Sequence, residues 1–210
     1  MRTLTVYCLL LVLISLISGC KEDSPEVVKV IKKYIVAGDT IQNQSTLIND
    51  SIIPAWQQHF RLPVDLNQDT ITDLTFQAMH DAIQGGTLNR YWSKLEIFKS
   101  MELLVDTSLF SNNGNGIKVI TPKILNKNDT INSKGVWLTD ATVDLSYYTP
   151  MMVLTDKGWE IKTSFFNGWN GLGRKYMGYR VLKDNDTIYG WLEIKIEHYN
   201  NVHLYQAAHR

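Results

Sequence analysis

The most pointed chemistry in the chain lies in the run Asp65-Leu66-Asn67-Gln68-Asp69-Thr70-Ile71-Thr72-Asp73. Side-chain oxygens at loop positions one, three, five and nine, with a backbone carbonyl at seven, follow the spacing with which EF-hand-type loops wrap calcium. Carboxylates gathered around one point repel by about 4 kcal/mol per close pair at an effective dielectric near 20, and a hard divalent ion turns that repulsion into binding energy. The expected ligands are therefore Asp65, Asn67, Asp69 and Asp73 with the carbonyl of Ile71. The expected ion is Ca2+ in a structural role, because the loop joins strands read at residues 60–64 and 71–78. Two positions depart from the full EF-hand: Thr70 stands where the sharp turn favours Gly, and Phe76 where a Glu would close the cage. The match is to the shorter calcium loops between strands of β-proteins; the alternative is a solvated turn with its carboxylates splayed apart.

Other candidate chemistry is sparser. Six tryptophans and ten tyrosines invite a carbohydrate-binding reading, since flat aromatic faces suit sugar rings, although most aromatics in a β-protein pack in the core. Trp169, within Asn167-Gly168-Trp169-Asn170-Gly171, is expected at the tip of an exposed loop and is the candidate ligand contact. Asp140 and Asp144, four positions apart on one strand, would stand about 14 Å from each other at ~3.4 Å per residue. Paired glycosidase carboxyls need about 5.5 to 9.5 Å, so these two fail as a pair. His198 and His203 sit an odd number of positions apart and face opposite ways on a regular strand, unless a turn at Asn200-Asn201 gathers them with Glu197. No Gly-x-Ser-x-Gly elbow, phosphate-binding glycine loop or His-Glu-x-x-His helix is present. No catalytic residue is assigned; a binding or accessory module is the leading reading, and a glycan-active hydrolase with a loop-assembled carboxylate site the alternative.

The start of the chain gives an address. Arg2, the apolar run from Leu9 to Ile17 and Ile17-Ser18-Gly19-Cys20 read as a lipoprotein signal peptide over residues 1–19, with Cys20 as the lipidated residue. The apolar run is too short to span a bilayer. Residues 20–26 then form the lipid-bearing tether, and Lys21-Glu22-Asp23 is similar to the signal that sends lipoproteins of Bacteroidota to the outer face of the outer membrane. Cell-surface display is the expectation, and the periplasmic face the alternative. Removal of Arg2 leaves 20 basic against 21 acidic residues, a balance near −1 that lacks the basic excess nucleic-acid binding needs. Cys8 leaves with the signal and Cys20 carries lipid, so no thiol remains for a disulfide or a Cys-ligated metal.

The remaining residues, 27–210, fit one domain. Residues 137–147 alternate Trp, Thr, Ala, Val, Leu and Tyr with more polar positions, as do Leu192, Ile194 and Ile196 against Glu193, Lys195 and Glu197, the pattern of half-buried antiparallel strands. Residues 27–36 read as a short helix or, from their β-branched content, as a strand continuing to Ala37 before a turn at Gly38-Asp39. Asp-Thr-Ile recurs at residues 39, 69, 129 and 186, each Asp expected to close a turn and each Thr-Ile to open a strand. Many short strands with hardly any helix imply an all-β, antiparallel two-sheet β-sandwich, with a closed barrel as the alternative.

The aspartate loop, taken with Lys175-Tyr176-Met177-Gly178-Tyr179-Arg180-Val181 and Asp186-Thr187-Ile188-Tyr189-Gly190-Trp191-Leu192, resembles a group of Bacteroidota lipoproteins and secreted proteins. These carry an Asp-x-Asn-x-Asp loop and a C-terminal Tyr-Gly-Trp hairpin. The resemblance covers some two dozen residues and implies a β-sandwich, calcium at the loop and an extracellular location, with no activity attached. If the hairpin is symmetric about Asp184-Asn185, Gly178 lies opposite Trp191 and the indole covers the bare glycine. The other role open to Trp191 is stacking on a sugar from the outward face.

Overall fold

The computed structural model describes residues 34–41, 43–83, 88–112, 115–183 and 186–210. The expected signal peptide and tether, with Cys20, and the stretch 27–33 lie outside them. Fourteen strands make up the described part: β1 (Tyr34–Val36), β2 (Gln44–Ile52), β3 (Gln58–Val64), β4 (Leu74–Ile83), β5 (Leu88–Ile97), β6 (Met101–Asn112), β7 (Asn115–Pro122), β8 (Thr130–Asn132), β9 (Val136–Leu138), β10 (Ala141–Thr155), β11 (Gly158–Phe166), β12 (Lys175–Lys183), β13 (Asp186–Glu197) and β14 (Asn201–His209). They form a five-stranded sheet in the order β11-β10-β5-β4-β3, a seven-stranded sheet running β2-β14-β13-β12-β6-β7 with β9 also on β6, and the ribbon β1-β8. Every strand pairing is antiparallel and neither sheet closes on itself, so the fold is the expected β-sandwich rather than a barrel.

Alternation along the strands divides the side chains between two cores. Phe76, Leu95, Val143 and Leu145 of the smaller sheet meet Met177, Tyr179, Leu192, Ile194 and Leu204 of the larger one. On the far face of the larger sheet, Tyr176, Tyr189 and Trp191 are buried with Ile35 of β1 and Ile131 of β8, so the ribbon makes a third layer there. Trp191 is 0 % exposed and meets Tyr176 edge-on at 5.4 Å, which gives it to packing and removes the outward sugar-stacking role.

The β12–β13 hairpin has the expected register, with Lys183 opposite Asp186 and Gly178 opposite Trp191. The aromatic cover, however, lies one pair along and on the other face. Gly178 is covered by Ile131 and Leu104, whereas a Cβ on Gly190 would stand 2.1 Å from the ring of Tyr179, its cross-strand partner. Gly190 of the Tyr-Gly-Trp motif is thus fixed by the buried tyrosine lying across it. Burial also pushes the Tyr179 hydroxyl well above the usual phenol range.

Two further readings change. Residues 137–147 are not one strand: the chain leaves β9 in the larger sheet, turns at Asp140 with φ 51°, and enters β10 in the smaller sheet. The Asp-Thr-Ile rule holds at Asp129 and Asp186, where β8 and β13 begin. At Asp39 and Asp69 the aspartate instead accepts the N–H two residues on, and Ile41 and Ile71 stay exposed.

Candidate functional site

The acidic loop connects β3 to β4, and its side chains fall into two sets. The carboxylate of Asp65 accepts the N–H groups of Asp69 at 3.3 Å and Thr70 at 2.7 Å. Asn67 Oδ1 accepts the Asp69 N–H at 3.0 Å, while its amide nitrogen donates to Asp69 Oδ2 at 3.0 Å. These three residues are gathered about one turn. Thr70 takes the left-handed conformation, φ 73°, that position six requires, so the chain reaches the bend without glycine. Such a conformation costs about 1–2 kcal/mol in a residue with a Cβ, offset here by the charge-assisted bond from its N–H to Asp65.

Asp73 is different. It is fully buried, with Oδ2 accepting the Leu66 N–H at 2.9 Å and Oδ1 the Ser100 hydroxyl at 3.1 Å. Its backbone bonds Val64 on one side and Phe98 on the other. Desolvation raises its carboxyl above the usual aspartate range, against the opposing pull of the Leu66 and Ser100 hydrogen bonds. The expected fourth ligand is therefore spent on tying the loop ends to the turn between β5 and β6. With Asp73 turned inward, no group of three or more His, Cys, Asp or Glu side chains converges as a metal site among the described residues.

Trp169 also departs from expectation. It is 1 % exposed, and its indole N–H donates to the Pro122 carbonyl at 3.0 Å, so it is an anchor in the core and presents no face to a ligand. Gly168 makes the tight entry possible: φ is 39°, and a Cβ there would stand 2.0 Å from the Leu145 carbonyl oxygen. The asparagines flanking this anchor reach outward. Asn170 Oδ1 accepts the Tyr199 N–H at 2.9 Å, and Asn167 Oδ1 accepts the Tyr199 hydroxyl at 3.0 Å.

Tyr199 belongs to the turn between β13 and β14, where His198 and Tyr199 take φ 52° and 65° in succession. Consecutive positive φ values usually recruit Asn-Gly, so His-Tyr at this bend carries strain. The turn is braced from outside: the buried Ser146 hydroxyl donates to the Tyr199 carbonyl at 2.9 Å and lies 2.8 Å from the Ser93 hydroxyl, and the Asn200 amide donates to the Met79 carbonyl at 3.3 Å.

The braced turn forms one wall of a cleft of about 810 Å³, within the size range of ligand pockets. Next to it, register places His80 beside Tyr91 and Tyr91 beside Tyr148. The rings follow one another at 4.5 Å for His80–Tyr91, 6.2 Å for Tyr91–Tyr148 and 5.6 Å for Tyr148–Tyr199. Asn89 and Asn201 add amides, and Ile53, Pro54, Leu88, Pro150 and Ile161 apolar surface. Sequence reasoning missed this site because its residues come from five separated strands, the β13–β14 turn and the β2–β3 connection. Of the candidate Glu197, His198 and His203 set, His203 lies 3.7 Å from Glu197, Lys195 holds the Glu197 carboxyl below its usual range, and His198 lines the cleft. Asp140 and Asp144 are ion-paired separately, to Lys99 at 3.7 Å and Lys94 at 3.6 Å.

Comparison with known proteins finds no matching family model, no matching curated protein and no matching solved structure.

Proposed function

We propose that this is a lipid-anchored envelope protein, held in the outer membrane through Cys20 and displayed at the cell surface, that works as a binding or accessory module. The observation that carries the binding reading is the cleft: an aromatic run that ends on a strained, externally braced turn, the kind of outlier that clusters at ligand sites. Its polar groups are tyrosine hydroxyls, imidazoles and amides, not the paired carboxylates on which the hydrolase alternative depends. In the same reading the acidic loop holds a structural calcium through Asp65, Asn67, Asp69 and the Ile71 carbonyl, while Asp73 fixes the loop ends instead of reaching the ion.

Cell fractionation and protease shaving test the address. Wild type is expected in the outer membrane and cut by protease on intact cells, and Cys20→Ala in the soluble fraction. Retention of Cys20→Ala in the membrane would sink the anchor, and survival of wild type until the membrane is broken would sink surface display.

A further inference from the structure

The composition of the cleft narrows what it takes. Its lining residues include no Asp, Glu, Lys or Arg, so no fixed charge is offered to an anionic or cationic ligand. What the cleft offers instead is a run of ring faces beside neutral dipoles. Tyr91, Tyr148 and Tyr199 are half-buried and form one contiguous run of rings along the cleft, with Asn89 at the exposed rim. His80 and Asn89 share one hydrogen bond at 3.4 Å and the Asn200 amide is given to Met79, but a purely apolar ligand would still cover the remaining amide and imidazole groups without offering them partners, which is costly. A strongly polar ligand without an apolar face would waste the rings. Pyranose rings satisfy both halves, with C–H faces for the tyrosines and hydroxyls that accept from and donate to amide and imidazole groups. The volume, about 810 Å³, accommodates more than a single ring.

Resting on the reading of the cleft as the binding site, we infer that its ligand is a neutral oligosaccharide. Tyr91 and Tyr148 stack on the sugar rings, and Asn89, Asn201 and His198 bond its hydroxyls. The brace from Asn167, Asn170 and Ser146 holds Tyr199 in place before ligand arrives, so little ordering remains to be done on binding.

The test is an array of neutral and acidic oligosaccharides together with extended apolar peptides, probed with the full chain and three variants. Tyr148→Ala removes a stacking face; Asn89→Ala changes an exposed rim residue and its hydrogen bond with His80, and covers the case in which Tyr148→Ala fails to fold. Trp159→Ala, on an exposed strand position that is not among the lining residues, is the control. The expected result is binding to neutral oligosaccharides that falls at least tenfold in Tyr148→Ala and Asn89→Ala and is unchanged in Trp159→Ala. Peptide binding that falls in both cleft variants, without glycan binding, would overturn the saccharide assignment and leave the cleft as the binding site. Glycan binding equal in wild type and both cleft variants would overturn the cleft itself. Preference for acidic glycans, or silence toward every probe, would also overturn the assignment.

Discussion

The acidic loop and the cleft turn both hold residues other than glycine at positive φ, Gln68 and Thr70 in one and His198 and Tyr199 in the other, yet they are braced in opposite ways. The loop is held mostly by itself: Asp65, Asn67 and Asp69 bond backbone groups two to five residues away. The turn is held by Asn167, Asn170 and Ser146, which lie 29 to 53 positions off in the chain. Local bracing can form early and survive distant changes. Non-local bracing exists only once the sandwich is complete, so the cleft inherits its precision from the core.

That contrast is open to direct attack, and Trp169→Ala should strike it hardest. Truncating a fully buried tryptophan costs about 3–5 kcal/mol, and the loss should carry Asn167 and Asn170 away from Tyr199. Urea denaturation should show the destabilisation, and oligosaccharide affinity should fall although Trp169 touches no ligand. Unchanged affinity in a folded variant would show that the turn stands without its brace.

Calcium comes next in size. At ~100 times its dissociation constant a ligand stabilises by about 2.7 kcal/mol, so thermal melting in calcium and in chelator should separate clearly. The gain should vanish in Asp65→Ala and persist in Asp73→Ala; a melting temperature flat across a wide calcium range would remove the ion from the loop.

Asp73 probes the one part of the loop that is tied at a distance. Asp73→Ala strands the Leu66 N–H and the Ser100 hydroxyl and should cost about 2 kcal/mol. Acid titration adds a sign. Because burial raises the folded carboxyl above the unfolded value near 3.8, the native protein takes up this proton first as pH falls. Its contribution to stability therefore grows from the raised folded value down to the ordinary one, is fully present below that, and is lost as pH rises again. Wild type should gain stability relative to Asp73→Asn across that window in paired urea titrations, and a flat difference would contradict the assignment.

The smallest effects make the sharpest comparison. Thr70→Gly and His198→Gly each relieve a left-handed residue and should stabilise by about 0.5–1 kcal/mol, the conformational relief offset in part by the entropy of glycine. Only His198→Gly should weaken oligosaccharide binding. Equal binding in both variants would deny the turn its role.

How much of this could be read from the chain depends on distance along it. The alternation of Leu192, Ile194 and Ile196 is a property of one strand, and the hairpin register follows from one turn, so both were legible. The ends of β3 and β4 were nearly so, because the acidic loop marks them. Asp140 hid a change of sheet, since the alternation of small and apolar residues runs on through a turn that only a positive φ reveals. Trp169 was misplaced because asparagine and glycine around an aromatic look the same in sequence whether the ring points out or in. The cleft was invisible for a stronger reason: His80, Tyr91 and Tyr148 become neighbours only through the register of three strands, and no local pattern encodes that.

The ribbon over the larger sheet has a mechanical consequence. Ile35 and Ala37 are buried to 1 % and 0 % exposure, and β1 is held to β8 by only three residue pairs. Separation of β1 would therefore break this short zipper while leaving the strand pairing of both large sheets intact. Ile35 resists by its burial, and it shares its cluster with the fully buried Trp191, so opening of the zipper thins the cover over that side chain. The Trp191 indole should therefore report such peeling, shielded from a water-soluble quencher in the intact fold and more open to it once β1 leaves.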